Sequence, residues 1–148
     1  MNSKELFVRD TTVTRKSDNL FIAEVSENWS IGNTANGGYS MTLAAKAMSE
    51  FLEHKDPLSI SAHYLDRVDF GSTELHVTHL SSSKSLSTAR VEFIQDNKIK
   101  IIFIGTFTDF SFKNDLNIYE RDVPNFPEYN SCEVIPYKEG FNPKLDKN

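Results

Sequence analysis

Residues 33–48 read NTANGGYSMTLAAKAM, and two of the chain's six glycines stand side by side where a helix begins. From Gly38 onward Met41, Ala44, Ala45, Met48, Phe51 and Leu52 recur at three- and four-residue intervals, which marks a helix with one apolar face. A helix over residues 38–53 is about 24 Å long, and Pro57 in the following HKDP is its expected stop. Glycine inside a helix costs roughly 1 kcal/mol relative to alanine, so Gly37 and Gly38 need a reason. Two reasons compete. The glycines let a buried helix start tight against other structure, or they let a ligand approach the unpaired N–H groups and partial positive charge of a helix N-terminus. Asn36 is the expected N-cap under either.

On the N-terminal side, residues 6–14 and 20–26 alternate apolar and polar around the turn signal Asp18-Asn19, so a hairpin is expected. The loop ENWSIGNTANGG follows, with Trp29 expected to pack ahead of the helix. On the C-terminal side every segment reads as strand. LSISAHYLDRVD puts Ile60, Ala62 and Tyr64 on one face, and STELHVTHL alternates around Leu75 and Val77. SLSTARVEFIQ alternates through Ala89, Val91 and Phe93, and KIKIIFIGTFTDF through Ile99, Ile101, Phe103, Gly105 and Phe107. Asp96-Asn97 between the last two suits a two-residue hairpin. Two strands, one long helix and four antiparallel strands contain no βαβ repeat. The expected class is α+β, an antiparallel sheet wrapped around one central helix.

Residues 113–148 hold four of the five prolines (Pro124, Pro127, Pro136, Pro143) and no periodic apolar segment. The expected organisation is a folded domain over residues 1–112 and a proline-rich linker or tail over 113–148. A length of 148 residues suits one domain, and 39% hydrophobic with 25% charged residues suits a globular one. The net charge of −5 argues against nucleic acid or an anionic membrane as partner. The single cysteine, Cys132, leaves no intrachain disulfide. MNSKELFVRD lacks the pattern of a secretory signal, and the densest apolar run, IKIIFIG, is broken by Lys100, so a cytoplasmic protein is expected.

Four stretches in order, NGGY, HKDPLSISAHYLDRV, SLSTARVEFIQDNK and GTFTDF, resemble the N-terminal half of the acyl-CoA thioesterase II-like, double hot-dog family over residues 29–110. The resemblance implies a hot-dog fold and hydrolysis of an acyl-CoA thioester to free acid and coenzyme A, with no cofactor. It also implies association, as a homodimer or with a second hot-dog domain. The Asp, Thr or Ser, and Gln that position the attacking water in that family belong to the second half, so no residue here inherits those roles. The alternative is a non-catalytic hot-dog module that binds acyl-CoA or pairs with a catalytic partner. The family's Arg-Gly-Arg-like turn is SSSKS here, which leaves Lys84 as the positive charge for a phosphate.

On this reading Asn36, Gly37 and Gly38 form the candidate catalytic element, an oxyanion hole at the helix start. Tyr39, His63, Lys84 and Ser85 are the candidate substrate contacts, with Ser87, Thr88 and Arg90 as further polar positions on the same strand. Each has a plainer account. His63, flanked by Ala62 and Tyr64, suits a structural histidine as well as a base, and the serines and Arg90 suit an exposed strand. Met41 and Met48 are expected core residues, with an acyl tunnel as a secondary role. Thr42, one turn into the helix, stands where other hot-dog enzymes place an acid, and threonine cannot act as one. Asp66 and Asp69, like His76 and His79, are expected on opposite faces of their strands. With no Cys/His cluster elsewhere, no metal is expected.

Overall fold

The structure, a computed structural model, describes residues 3–112, 121, 122 and 124–131. The expected tail at 113–148 falls largely outside these residues. Helix α1 (Ser3–Asp10) leads into strands β1 (Val13–Arg15) and β2 (Leu20–Val25). A short 3₁₀ turn (Glu27–Trp29) and a small hairpin, β3 (Ser30–Ile31) and β4 (Thr34–Ala35), precede helix α2 (Gly37–Phe51). Four strands follow: β5 (Asp56–Tyr64), β6 (Gly71–Ser82), β7 (Ser87–Gln95) and β8 (Lys98–Thr108).

The main sheet has six antiparallel strands in the order β1-β2-β6-β7-β8-β5. β2 and β5 are consecutive in the main sheet along the chain but four places apart in it. α2 makes that crossing, so it lies along one face of the sheet, as the α+β reading expects. Its buried side chains, Tyr39, Ser40, Leu43, Ala44, Ala47 and Met48, keep helical spacing. They meet the inward residues of the strands, among them Phe21, Leu75, Val91, Phe93, Phe103 and Phe107, all fully buried. Each such aromatic or aliphatic burial contributes about 1.5–3 kcal/mol. The helix runs close to β8: a β-carbon on Gly105 would stand 2.5 Å from Met48 Sδ, so only glycine fits there. Met48 is thus core.

Three local expectations need correction. Residues 3–10 are helix rather than the first arm of a hairpin, because the positions that matter recur at helical spacing. Phe7 packs edge-on against Trp29 at 4.9 Å, and Asp10, three residues on, reaches the same body of the protein. Pro57 does not stop α2. The helix ends at Leu52, whose backbone turns extended, and Pro57 lies within β5, an edge strand that tolerates a missing N–H. In β8 a register shift opposite Phe93 and Ile94 breaks the alternation, so Ile99 is exposed and Lys100 buried, opposite to the expected pattern. The turn at Asp96-Asn97 has φ of 51° and 58°, the left-handed pair of a two-residue hairpin.

Candidate functional site

Segments distant in sequence build the start of α2. Ala35 N–H and the Thr34 hydroxyl both donate to the Val68 carbonyl, at 3.1 and 2.8 Å, and Asn36 N–H donates to the Trp29 carbonyl at 2.8 Å. Val68 belongs to the loop after β5, which is itself tied down. Leu65 and Asp66 N–H groups donate to the Lys100 carbonyl, and Lys100 Nζ donates to Asp66 Oδ2 at 3.0 Å. Asp69 Oδ2 lies 4.0 Å from the same ammonium. Asp66 and Asp69 therefore converge on one cation instead of facing opposite ways, because β5 ends at Tyr64 and the chain turns. The hydrogen bond from Lys100 holds the Asp66 carboxyl below its usual range.

Asn36 caps the helix: its Oδ1 accepts from Gly38 N–H at 2.8 Å and Tyr39 N–H at 3.4 Å. Gly38 N–H is thereby committed. Gly37 N–H has no acceptor among the described residues, which makes it the open donor of this first turn.

The two glycines differ in their surroundings. A β-carbon on Gly37 would stand 2.9 Å from Tyr64 Oη and 3.0 Å from its ring, so a side chain here would push the half-exposed tip of Tyr64 aside. A β-carbon on Gly38 would meet only Asn36 Oδ1, at 3.2 Å, so its outer side is open. Tyr64 is the residue that motif reading missed. Its hydroxyl donates to the Gly37 carbonyl at 3.1 Å, and its ring stands edge-on to Phe103 at 6.3 Å. The signal was present in the alternation of Ile60, Ala62 and Tyr64, which face the helix.

The other expected contacts disperse. Tyr39 is 4% exposed. Its hydroxyl donates to the Asp10 carbonyl at 2.7 Å and accepts from Ser26 N–H at 3.1 Å, while its ring stacks on Trp29. Burial pushes its phenol above the usual range. Tyr39, an expected substrate contact, ties α2 to α1 and β2. His63 is exposed on β5 opposite Ile102, with neighbours Ala62 and Tyr64 turned to the helix, so it points away from the helix start. Thr42 donates its hydroxyl to the Gly38 carbonyl at 3.0 Å, within its own helix.

Lys84 and Ser85 occupy the turn between β6 and β7. That turn touches His54, just past the C-terminus of α2, through the Lys84 carbonyl. A helix of 15 residues separates the turn from Gly37, which is roughly 20 Å. Ser87 is buried and Arg90 pairs with Glu92 at 3.0 Å, so neither stands beside Lys84 as an open contact. Among the described residues no three His, Cys, Asp or Glu side chains are grouped to hold a metal ion, and no helix is long and apolar enough to cross a membrane.

Residues 25–109 match the family described as the acyl-CoA thioesterase N-terminal domain. A comparison with curated proteins gives no match. Among solved structures, the tesB protein of Mycobacterium avium subspecies paratuberculosis is similar with a TM-score of 0.73 and 20% identity, over 88% of this chain and 50% of that one. The acyl-CoA thioesterase II TesB2 of Mycobacterium marinum gives 0.67 and 15%, over 84% and 46%. A conserved protein with a hot dog fold from Alicyclobacillus acidocaldarius gives 0.74 and 13%, over 84% and 47%. The fold is therefore a hot-dog, and the chain spans about half the length of these structures.

Proposed function

The chain belongs to the acyl-CoA thioesterase N-terminal domain family, and on that premise we propose that it supplies the carbonyl-binding half of an acyl-CoA thioesterase site completed by a second hot-dog unit. The observation that carries this reading is the Gly37 N–H. It is a helix-terminal donor without an acceptor among the described residues, beside a Gly38 whose outer side is open.

In the proposed reaction the thioester carbonyl oxygen lies against Gly37 N–H. Water held by the second unit adds its oxygen to the carbonyl carbon and gives up one proton to a base there. The carbonyl electrons move onto oxygen, where the N–H and the helix terminus stabilise the charge. Collapse re-forms the carbonyl, breaks the carbon–sulfur bond and releases coenzyme A thiolate, which takes a proton. Asn36 positions the donor, because it binds the next two N–H groups and leaves this one free. Lys84 and Ser85 lie too far from Gly37 to touch the thioester, so a phosphate of the coenzyme is the part they would meet.

The second unit is proposed to pair along β5. It is a nine-residue edge strand with one side unpaired among the described residues, and it ends at Tyr64 beside the helix start. Thr42 favours the alternative of a non-catalytic acyl-CoA-binding half, since its hydroxyl is tied to the Gly38 carbonyl and cannot act as an acid. One experiment separates the two: thiol release from acyl-CoA by the chain at a sedimentation-defined oligomeric state. Turnover by a dimer supports the thioesterase. Acyl-CoA binding without turnover supports the module, and a chain that does neither overturns both.

A further inference from the structure

His54 follows α2, is 7% exposed, and takes no part in the helix start. Its Nδ1 lies 2.6 Å from Ser87 Oγ and its Nε2 3.3 Å from the Lys84 carbonyl oxygen. Ser87 is fully buried. Ser82, its register partner on β6, donates to Ser87 Oγ at 3.3 Å, and His79 Nε2 lies 2.7 Å from Ser82 Oγ. His79 and Ser82 are exposed.

One placement of protons satisfies all four contacts. A carbonyl only accepts, so His54 Nε2 carries a hydrogen, and in the neutral ring Nδ1 is bare. Ser87 therefore donates to Nδ1 and accepts from Ser82, which accepts from His79 Nε2–H. Every donor in the chain points from the surface inward.

We propose that His79, Ser82, Ser87 and His54 form a proton relay from the surface to a buried imidazole, and that the relay sets how firmly the turn carrying Lys84 is held. A proton from water binds His79 Nδ1. His79 Nε2–H then passes its proton to Ser82, Ser82 passes its own to Ser87, and Ser87 passes its own to His54 Nδ1. His79 ends neutral with its hydrogen on Nδ1, and His54 ends as the imidazolium. One proton enters and one positive charge moves inward.

The turn has four further ties: Ser83 N–H and the Ser83 hydroxyl to the Leu86 carbonyl at 2.7 and 3.3 Å, Leu86 N–H to Ser83 Oγ at 3.2 Å, and the Thr108 hydroxyl to the Ser85 carbonyl at 2.9 Å. None of them ionises. The bond from His54 to the Lys84 carbonyl is the one whose strength follows charge, and a cationic donor is about twice as strong as a neutral one. Acid therefore tightens the turn. The charged groups at this end of the sheet are Glu53 and Lys55 beside His54 in the chain, Asp56 on β5, Lys84 itself, and Asp109 after β8. The Lys55 ammonium is occupied by the Ser49 and Leu52 carbonyls, and Asp56 accepts from Phe110 N–H. The Asp109 carboxylate accepts from Ser111 N–H at 2.8 Å.

The test is imidazole ¹H–¹⁵N correlation NMR on the full chain between about pH 5 and 9, for wild type, Ser82→Ala and Ser82→Thr. Ser82 is exposed and does not touch His54, so loss of its hydroxyl leaves the fold intact and cuts only the chain. The relay predicts that neutral His54 carries its hydrogen on Nε2. It predicts that Ser82→Ala slows proton exchange at the His54 ring by about tenfold or more, and that Ser82→Thr restores it. A neutral His54 protonated on Nδ1, or a His54 proton-exchange rate unchanged in Ser82→Ala, overturns it.

Discussion

The Tyr64 hydroxyl donates to the Gly37 carbonyl at 3.1 Å, and the same hydroxyl stands 2.9 Å from where a Gly37 β-carbon would be. A strand end and a helix start thus hold each other, and the fit depends on a hydrogen atom in place of a side chain. The two positions should be energetically coupled. In the wild type Gly37→Ala forces the Tyr64 ring aside and lowers stability. In a Tyr64→Ala background the clash is gone, and the same change gains about 0.4–1 kcal/mol from a less free unfolded chain. Denaturant unfolding of the four proteins checks this. Equal effects of Gly37→Ala in both backgrounds would contradict it.

Asn36→Asp separates capping from chemistry. Aspartate keeps the acceptor for the Gly38 and Tyr39 N–H groups, and its charge suits the helix N-terminus. Stability should be unchanged or higher by up to about 1 kcal/mol. The same charge lies beside the proposed oxyanion, so turnover should fall at least tenfold, or acyl-CoA binding should weaken if the chain only binds. Asn36→Ala should instead cost about 1 kcal/mol of stability.

Asp10 gives the pH dependence of the N-terminal helix. Burial pushes its carboxyl up, but donors from Asn28, Arg9, Ser26 and Trp29 outweigh this and hold it below its usual value. A carboxyl with a lowered folded value contributes stability above the unfolded value, and the contribution is lost as pH falls through the folded one. The loss therefore comes below the usual carboxylate range, not near neutrality. Trp29 is the chain's one tryptophan, and its Nε1–H donates to Asp10 Oδ2 at 3.1 Å, so its fluorescence reports the event. The emission should shift on acidification ahead of global unfolding. In Asp10→Asn that early step should be absent, and its persistence would remove Asp10 as the cause.

The sheet, its long helix and the N-cap at Asn36 were legible because burial imposes a period on the sequence. Periods of two and of three to four show wherever one face of an element is wet and the other dry. α1 was not legible. Its eight residues carry too few buried positions to display a period, and its place is fixed by Asp10 reaching Asn28 and Trp29. Lys100 was misread for a related reason: one extra residue in β8 reverses the alternation locally, and a loop covers what would have been a solvent-facing lysine. In the candidate site, a motif can point to a helix start but not to what packs on it. Tyr39 within the motif turned inward, while Tyr64 came from a different strand. Lys84 and Ser85 were grouped with the glycines by the resemblance alone, and the length of α2 separates them.

Comparison of Gly37→Pro with Gly37→Ala isolates Gly37 N–H as the proposed working donor. Both variants place a β-carbon against Tyr64, so both disturb the packing alike. Only proline removes the N–H. Proline suits the first position of a helix, and Asn36 before it already has the extended ψ of 135° that a residue preceding proline prefers. The measurement is kcat for acyl-CoA hydrolysis in the assembled thioesterase. Gly37→Pro should fall roughly 10²–10³-fold below Gly37→Ala, the scale of one lost oxyanion donor. Equal kcat values for two folded variants would contradict the account.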